Sequence, residues 1–465
     1  GLELRADTDT LVVAPLALEL DGHRLVELGA RVDGVVAAAA EVLADPSSLV
    51  ASLGLVRSAR DGRLQITGPG VVLALEPLMP YVRAFAPTLT VGGEVRLVVD
   101  ELAGRLPELM ALRPSAGSVR LELDQVRVSD PAQRLVVGQL DGALALRAEG
   151  SRPITLGGEV RGSGINAQGS GVDTLALRLS GAVAAPSYPA TGTTSIAVSL
   201  ALEGVRAPGA QVSALDAKLT LGGHDPLDPA RSHPDPIQLA LSLDTRGVAV
   251  GTGTAAQSVA ELHARMGAQL DRLVTPAVRP IQAQLDARIG GVAVPAAQID
   301  EVRVALTTSL DDPRHGRPID ARLAGKLEVA RVRASGTTVS NATLTTDTRV
   351  RGVDTTGHEP LPAMASVQAT LDVPAFALAA PSKLASSARV DTTLSFTRAG
   401  QQLVVERLRA QLGGAVDATL RGRVGQLLGA TPQLDLTLAV APLDLAQPVV
   451  AQLVGEPFTG SGRVR

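Results

Sequence analysis

The sequence lacks cysteine and tryptophan, and it has only four phenylalanines and two tyrosines among 465 residues. Without cysteine, a disulfide framework, a thiolate metal site and a cysteine nucleophile are all excluded. Aromatic side chains bury large areas in most globular cores, so a core here has to be built from Leu, Val, Ile and Ala. The same scarcity argues against an outer-membrane barrel, whose interfaces carry aromatic girdles.

Strong charge and long apolar runs are also missing. A formal net charge of −4 gives no electrostatic footprint for nucleic acid. The longest apolar stretch, 34–44, is interrupted by Glu41 and is far shorter than the ~20 residues of a membrane helix. Because the chain starts without Met and ends on a strand-like run, we interpret it as an excerpt of a longer protein.

Alternation of apolar and polar residues is the strongest pattern that is present. Val119, Leu121 and Leu123, for example, alternate with Arg120 and Glu122. Successive side chains of a strand point to opposite faces, so each such segment has one apolar and one solvated face, as in antiparallel sheets. The pattern occurs in eleven segments: 119–123, 175–179, 196–202, 215–221, 237–243, 302–306, 327–329, 365–373, 390–396, 416–420 and 434–440.

Glycine pairs and helical periods predict the connections. The pairs at 141–142 (Asp-Gly), 157–158, 222–223, 290–291 and 413–414 predict turns. Helices are predicted at 25–53, 76–85, 101–112 and 256–274. In the last of these, Val259, Leu262, Met266, Leu270 and Leu273 fall on one helical face. The resulting division is a mixed N-terminal segment (1–114), a β-groove (115–255), a helical insertion (256–275) and a groove that continues beyond the C-terminal end (276–465).

The apolar faces of these strands need a cover. Three to five inward side chains per segment give roughly forty apolar residues, and leaving them in water forfeits on the order of 60–120 kcal/mol. Two or three helices cannot cover so many strands, which leaves a second sheet, a closed barrel or a bound apolar ligand. Packed sandwiches would need aromatic cores and long linkers. The sequence therefore favours a mainly β fold, with a long twisted antiparallel sheet curled into a hydrophobic groove and a few helical insertions.

Motifs typical of enzymes are few, and each has a simpler interpretation. The G-x-G-x-x-A run at 251–256 fits a dinucleotide turn, but no acidic strand end follows, so we interpret it as a loop with Thr254 capping a helix. His224 and His233 lie in a Pro-rich loop without closely spaced partner ligands. No G-x-S-x-G or phosphate-binding loop occurs. The sequence thus predicts no enzyme, no catalytic residue, no cofactor and no metal site.

A family resemblance lies in the C-terminal third. The segment 408–422, with its central glycine pair, resembles the strand–GlyGly–strand hairpin of AsmA-like proteins, the group that includes the TamB and YhdP types. The segments 434–440, 443–446 and 460–464 resemble the strand, short helix and glycine-led strand that follow in that family. Looser similarity extends over most of 115–407.

This resemblance implies a bridge-like lipid-transfer protein. Such proteins are long antiparallel sheets whose aliphatic groove moves phospholipid or other acyl-chain lipid between the inner and outer membranes of the cell envelope. It implies a periplasmic location, an inner-membrane anchor outside this chain, and a part in outer-membrane biogenesis. The implied partners are acyl chains, components of both membranes and other envelope proteins at the edge strands, and no nucleic acid. The alternative is an envelope scaffold or an outer-membrane protein assembly factor that uses the same groove.

The residues expected to line the lipid-binding groove are the apolar members of the alternating segments. They are Val119, Leu121, Leu123, Leu175, Leu177, Leu179, Ile196, Val198, Leu200, Leu239, Leu241, Leu243, Val302, Val304, Leu306, Val367, Leu371, Leu434, Leu436 and Leu438.

Overall fold

The computed structural model describes most of the chain as β-strand. The residues it describes are 2–5, 10–20, 23–33, 63–105, 116–149, 153–183, 193–226, 234–251, 256–316, 318–354, 361–378, 385–427, 433–441, 443–444 and 463–464.

The strands are long and follow one another with few interruptions. In chain order they are β1 (Leu2–Arg5), β2 (Thr10–Leu20), β3 (His23–Asp33), β4 (Arg63–Ala74), β5 (Thr90–Arg105), β6 (Ala116–Asp130), β7 (Leu135–Glu149), β8 (Ile154–Ala167), β9 (Ser170–Val183), β10 (Thr193–Ala207), β11 (Ala210–His224), β12 (Ile237–Val250), β13 (Gln257–Leu270), β14 (Ile281–Val294), β15 (Ala297–Leu310), β16 (Ile319–Ala334), β17 (Thr337–Val353), β18 (Met364–Leu378), β19 (Ala385–Thr397), β20 (Gln402–Leu412), β21 (Val416–Gly425), β22 (Gln433–Val440), β23 (Leu443–Asp444) and β24 (Arg463–Val464). A helix, α1 (Leu75–Phe85), joins β4 to β5, and a short 3₁₀ turn (Pro313–His315) precedes β16.

The chain divides into two compact units, 1–208 with 214–235 and 209–213 with 236–465. In the first unit, each strand from β1 to β10 pairs antiparallel with the next along the chain. In the second unit the same holds from β12 to β22. None of these described strand pairings closes a barrel. The predicted fold class, mainly β with a long antiparallel sheet and few helices, is confirmed.

All eleven alternating segments lie in strands, and the helix predicted at 76–85 is α1. Of the other predicted helices, 25–33 belongs to β3 and 101–105 to β5, so a helix at those residues is wrong. The remainder of both predictions lies outside the described residues.

The helix predicted at 256–274 is also wrong, because 257–270 forms β13. Its even-numbered residues from Leu262 to Leu270 are all Leu, Ala or Met, whereas most odd-numbered ones are polar. Apolar residues spaced by four satisfy both a helical and a strand period, so the helical spacing did not discriminate between them. Antiparallel pairing with β12 and β14 on its two sides stabilises the strand.

Four of the five residue pairs predicted as turns, the Asp-Gly pair at 141–142 and the glycine pairs at 157–158, 222–223 and 290–291, lie inside strands. Only 413–414 forms a turn. Gly158 shows the reason. Its φ is +147°, and a Cβ added there would lie 2.0 Å from the Ala143 carbonyl oxygen. Gly142, at φ +149°, would place a Cβ 2.2 Å from the Glu159 carbonyl oxygen. These glycines let neighbouring backbones approach closely and the strands bend, because no side chain stands between them.

Candidate functional site: the aliphatic face of each unit

Strand register gathers the aliphatic side chains of the first unit onto one face. One row across β5 to β10 consists of Leu97, Leu121, Leu144, Gly158, Leu179 and Val198. The next row consists of Val95, Leu123, Gly142, Val160, Leu177 and Leu200. Since side chains alternate between faces, charged residues such as Arg120 and Glu159 occupy the other side.

The second unit has a corresponding face that runs through all strands from β12 to β22. Its central row begins at Leu241 and ends at Leu438, passing through Met266, Leu285, Leu306, Gly325, Thr346, Ala369, Thr392, Leu408 and Leu420. At ~4.8 Å between neighbouring strands, this row follows about 48 Å of sheet.

Nothing among the described elements encloses these faces. The extensive contacts between described elements join consecutive strands, and α1 contacts β5. None of the twenty predicted groove residues is fully buried, and Leu241 is 37%, Leu438 64% and Leu434 67% exposed. A facing layer or a sealed cylinder of described elements would bury such side chains, so no described element covers the aliphatic faces.

Buried apolar residues are correspondingly few in the described part of the chain. They are Val99, Ala103, Val126, Ala148, Ile237, Leu270, Ala277, Ile319, Val405 and Ala415. Around Ala415, at the turn that joins β20 to β21, Phe376, Leu378 and Leu412 form a small core cluster. The sheet of each unit is therefore held mainly by strand pairing rather than by a core between two layers.

Each predicted groove residue lies on the aliphatic face of its own unit, nine of them in the first unit and eleven in the second. Sequence reasoning missed other members of the same faces. It overlooked Met266 because β13 was interpreted as a helix, and Leu144 because the neighbouring glycine pair was interpreted as a turn. It also overlooked β14, where Ile281, Leu285 and Ile289 carry the alternating signal.

The opposite faces are charged and solvated. In the first unit, Glu159 accepts from Arg161 at 2.8 Å and lies 3.1 Å from Arg178. In the second, Glu301 pairs with Arg288 at 3.2 Å and with Arg303. The hydrogen bond from Arg161 lowers the pKa of Glu159, and that from Arg303 lowers the pKa of Glu301. Exposed pairs of this kind contribute little to stability, but they keep the polar face in water.

A hollow of about 410 Å³ lies mainly among the charged side chains of the second unit's polar face. Its charged lining residues are Arg265, Arg288, Arg303, Lys326, Asp286 and Glu328, and the imidazole of His263 also lines it. Ion pairs with Glu301 and Glu328 neutralise most of its positive charge. We therefore interpret it as a solvated space between long side chains.

In the part of the chain that the structure describes, the enzyme-like motifs do not assemble into a dinucleotide or metal site. Residues 252–255 of the glycine-rich run, Thr254 included, lie outside the described residues. The segment that follows the run is β13 rather than the helix a dinucleotide turn requires. His224 ends β11, and His233 lies outside the described residues. Nowhere in the described ranges do three His, Asp or Glu side chains group closely enough to hold a metal ion.

The C-terminal segments that carry the family resemblance are described in part. The hairpin at 408–422 is formed by β20 and β21, with Gly413 and Gly414 in the turn. The short helix expected at 443–446 is wrong at Leu443–Asp444, which form a short strand paired with Arg463–Val464. Residues 445–446 lie outside the described residues.

No family model, curated protein or solved structure matches the chain. Among the described residues, the structure has no helix both long and apolar enough to cross a bilayer.

Proposed function

We propose that this chain binds acyl-chain lipids on its aliphatic faces and forms part of a conduit between the inner and outer membranes of a cell envelope. The observation that carries the proposal is the row from Leu241 to Leu438, which no described element covers and which is Leu, Met or Ala at eight of its eleven positions, with Gly325, Thr346 and Thr392 at the other three. The resemblance of 408–464 to AsmA-like proteins supports the periplasmic location and the anchor outside this chain. No enzymatic step is part of the proposal.

The driving force is transfer of hydrocarbon out of water. Each methylene that leaves water contributes ~0.8 kcal/mol, so about ten methylenes laid on the face contribute about 8 kcal/mol. Leu, Val, Ile and Ala offer no fixed aromatic shape and few polar partners, so a flexible chain can shift along the face without breaking specific bonds. The headgroup stays in water at the open side.

The test introduces a charge at both ends of the row. The variant Leu241→Asp with Leu438→Asp places carboxylates on the aliphatic face, where a lipid tail would have to cover them at a cost of several kcal/mol per unpaired charge. The matched control is Ser242→Asp with Thr437→Asp, one residue away on the polar face, where each faces an arginine across the strand pair, Arg265 and Arg421.

Two measurements are made on each protein. Native mass spectrometry and organic extraction report phospholipid that co-purifies, and a fluorescent-lipid assay reports transfer between donor and acceptor vesicles. We expect wild type and control to carry and transfer lipid, and the aliphatic-face variant to lose most of both. Wild-type transfer by that variant, or a wild-type protein free of lipid, contradicts the proposal.

One observation favours the alternative of an outer-membrane protein assembly factor. Every side chain of β22 is exposed, and β21 is its one partner among the described strands. Such an edge can accept a further strand through its backbone groups. This alternative predicts capture of unfolded outer-membrane strands by a wild-type protein that carries no lipid.

A further inference from the structure

Polar side chains interrupt the central row of the second unit's aliphatic face. Between β15 and β20 the row passes through Gly325, Thr346, Ala369 and Thr392. Thr348, two residues after Thr346 on β17, lies on the same face in the next row. The two rows of the first unit, by contrast, consist only of Leu, Val and Gly. We call Thr346, Thr348 and Thr392 the threonine patch.

Small residues lie on both sides of Thr346. Two strand spacings, about 10 Å, separate Thr346 from Thr392, with the Ala369 methyl group between them. On the other side, a Cβ added to Gly325 would lie 3.2 Å from the Thr346 Oγ1 and 2.6 Å from the Leu306 Cδ2. The Thr346 hydroxyl therefore lies on the aliphatic face, beside a leucine methyl group and next to a position without a side chain.

The hydroxyl groups of the patch lack hydrogen-bond partners within the described residues. The Thr392 Oγ1 is shielded from solvent and has no partner there, and none of the described hydrogen bonds involves the hydroxyl of Thr346 or Thr348. Thr308, on the same face, differs from them because it donates to the Arg322 carbonyl at 3.0 Å. A hydroxyl shielded from water without a partner costs free energy, so a ligand that supplies a partner gains what the free protein lacks.

The missing partner has a defined chemistry. A threonine hydroxyl donates to an oxygen acceptor, while the leucines and valines around the patch require hydrocarbon. An ester-linked acyl chain has both features, since its carbonyl oxygen is attached directly to the tail. A staggered rotation about the Cα–Cβ bond of Thr392 exchanges its oxygen with its methyl group. The hydroxyl can thereby turn from its shielded position toward such a carbonyl.

The row continues with aliphatic side chains on both sides of the patch. It runs from Leu306 to Leu241 over three strand spacings, about 14 Å, and from Leu408 to Leu438 over two, about 10 Å. A tail whose ester lies at the patch can therefore extend along the row in either direction.

We propose that the threonine patch is a subsite for the ester carbonyl groups of acyl lipids. The second unit then selects ester-linked lipids over lipids with the same headgroup and chain length but no carbonyl. This inference rests on the proposed function, since lipid has to bind the aliphatic face before the patch can select it. Selectivity and total binding are measured separately, so the two proposals can fail separately.

The experiment is a competition between two lipids. The purified chain is incubated with vesicles of equal parts dioleoyl phosphatidylcholine, which has two ester links, and its dioleyl ether analogue, in which both carbonyls are absent. The protein is then separated from the vesicles, and mass spectrometry of the extracted lipid gives the ratio of ester to ether and the total amount bound.

Two triple variants are compared with wild type. The test variant replaces the patch with valines of the same shape: Thr346→Val, Thr348→Val and Thr392→Val. The matched control replaces three threonines of the same two strands on the polar face: Thr343→Val, Thr345→Val and Thr393→Val. Valine is at least as favourable as threonine in a strand, and loss of an unpartnered hydroxyl does not destabilise the fold. An unchanged or higher urea midpoint of the test variant checks this.

The expected preference follows from the hydrogen bonds gained. One neutral hydrogen bond gives about a fivefold preference, so two bonded carbonyls favour the ester about 25-fold in the second unit. Unselective binding by the first unit lowers the ratio in the total bound lipid to about two- to threefold. We expect that ratio in wild type and control and a ratio near one in the test variant. Total bound lipid in the test variant should be no lower than in wild type, because valine adds apolar surface.

Three results would overturn the inference. A wild-type ratio near one does so without any variant, and so does a test variant that keeps the wild-type ratio; in both cases bound lipid continues to support the conduit. A wild-type protein that binds neither lipid contradicts the proposed function, and the inference fails with it.

Discussion

A buried carboxylate in the second unit offers a direct test of what fixes the strand ends. Asp312, 2% exposed, lies between β15 and β16 and accepts hydrogen bonds from the backbone N–H of Ala277 at 2.8 Å and of Arg314 at 2.9 Å. Its ion pair with the Arg314 side chain measures 2.6 Å. Arg314 in turn donates to the Leu273 carbonyl at 2.7 Å. These bonds connect the loop after β15 to the loop between β13 and β14.

The variant Asp312→Asn keeps the size of the side chain and removes its charge. Breaking a buried ion pair by removing one partner costs ~3–5 kcal/mol. Arg314 is 41% exposed and regains some hydration, so we expect a local cost of about 2–3 kcal/mol. That corresponds to a roughly 30- to 150-fold rise in the opening constant of the two loops.

Hydrogen exchange measures this opening in the peptides that contain Ala277 and Arg314. The matched control is Asp311→Asn, whose carboxylate accepts a single, longer bond of 3.3 Å from the Asp320 N–H. We expect the control to change the exchange rate by less than about threefold. Equal protection in Asp312→Asn and Asp311→Asn would refute the idea that the buried carboxylate holds the loops together.

Two further predictions follow from the same kind of reasoning. The hydrogen bond from Arg314 holds the pKa of Asp312 well below its usual range. The bonds of the Asp312 carboxylate therefore contribute their full stability above about pH 4, and this stability is lost as the pH falls toward the lowered pKa. Limited proteolysis of the two loops by pepsin should accelerate on acidification in wild type and show little pH dependence in Asp312→Asn. Gly158→Ala should lower the free energy of unfolding of the first unit by about 2 kcal/mol, measured as a lower urea midpoint, since its Cβ would meet the Ala143 carbonyl oxygen. Gly157→Ala, with no atom within 4 Å of its Cβ, should leave the midpoint unchanged, and equal midpoints for the two variants would contradict the strain argument.

Much of the fold could be predicted because its strands are locally specified. A segment such as 237–243 alternates so regularly that only one strand face can be apolar, whatever its neighbours are. The helix predicted at 256–274 failed where the local signal was ambiguous, because alanine at 264 and 268 was not counted as part of an apolar face. The prediction of turns at the glycine pairs was wrong for a different reason. Only the approach of a neighbouring strand shows that Gly158 bends a strand rather than ends one.

The candidate site was predictable in its residues but not in its extent. Alternation identified Leu241 and Leu438 as inward-facing, yet nothing local indicates that ten strand registers align them in one row. Register depends on turns and bulges, such as the one between Val405 and Leu408, which are set by long-range pairing.

The open aliphatic faces couple the stability of the folded state to the binding of a molecule that covers them. A sheet in which large aliphatic side chains such as Leu434 and Leu438 stay more than half exposed cannot gain from them the burial that stabilises a sandwich of two sheets. Any molecule that covers those side chains in the folded state, and not in the unfolded one, shifts the equilibrium toward folding. Hydrocarbon can cover these side chains without changing the strands. It can also dissociate again, because it makes no directional bonds. Under the proposed function, lipid is therefore both the cargo and a part of the core.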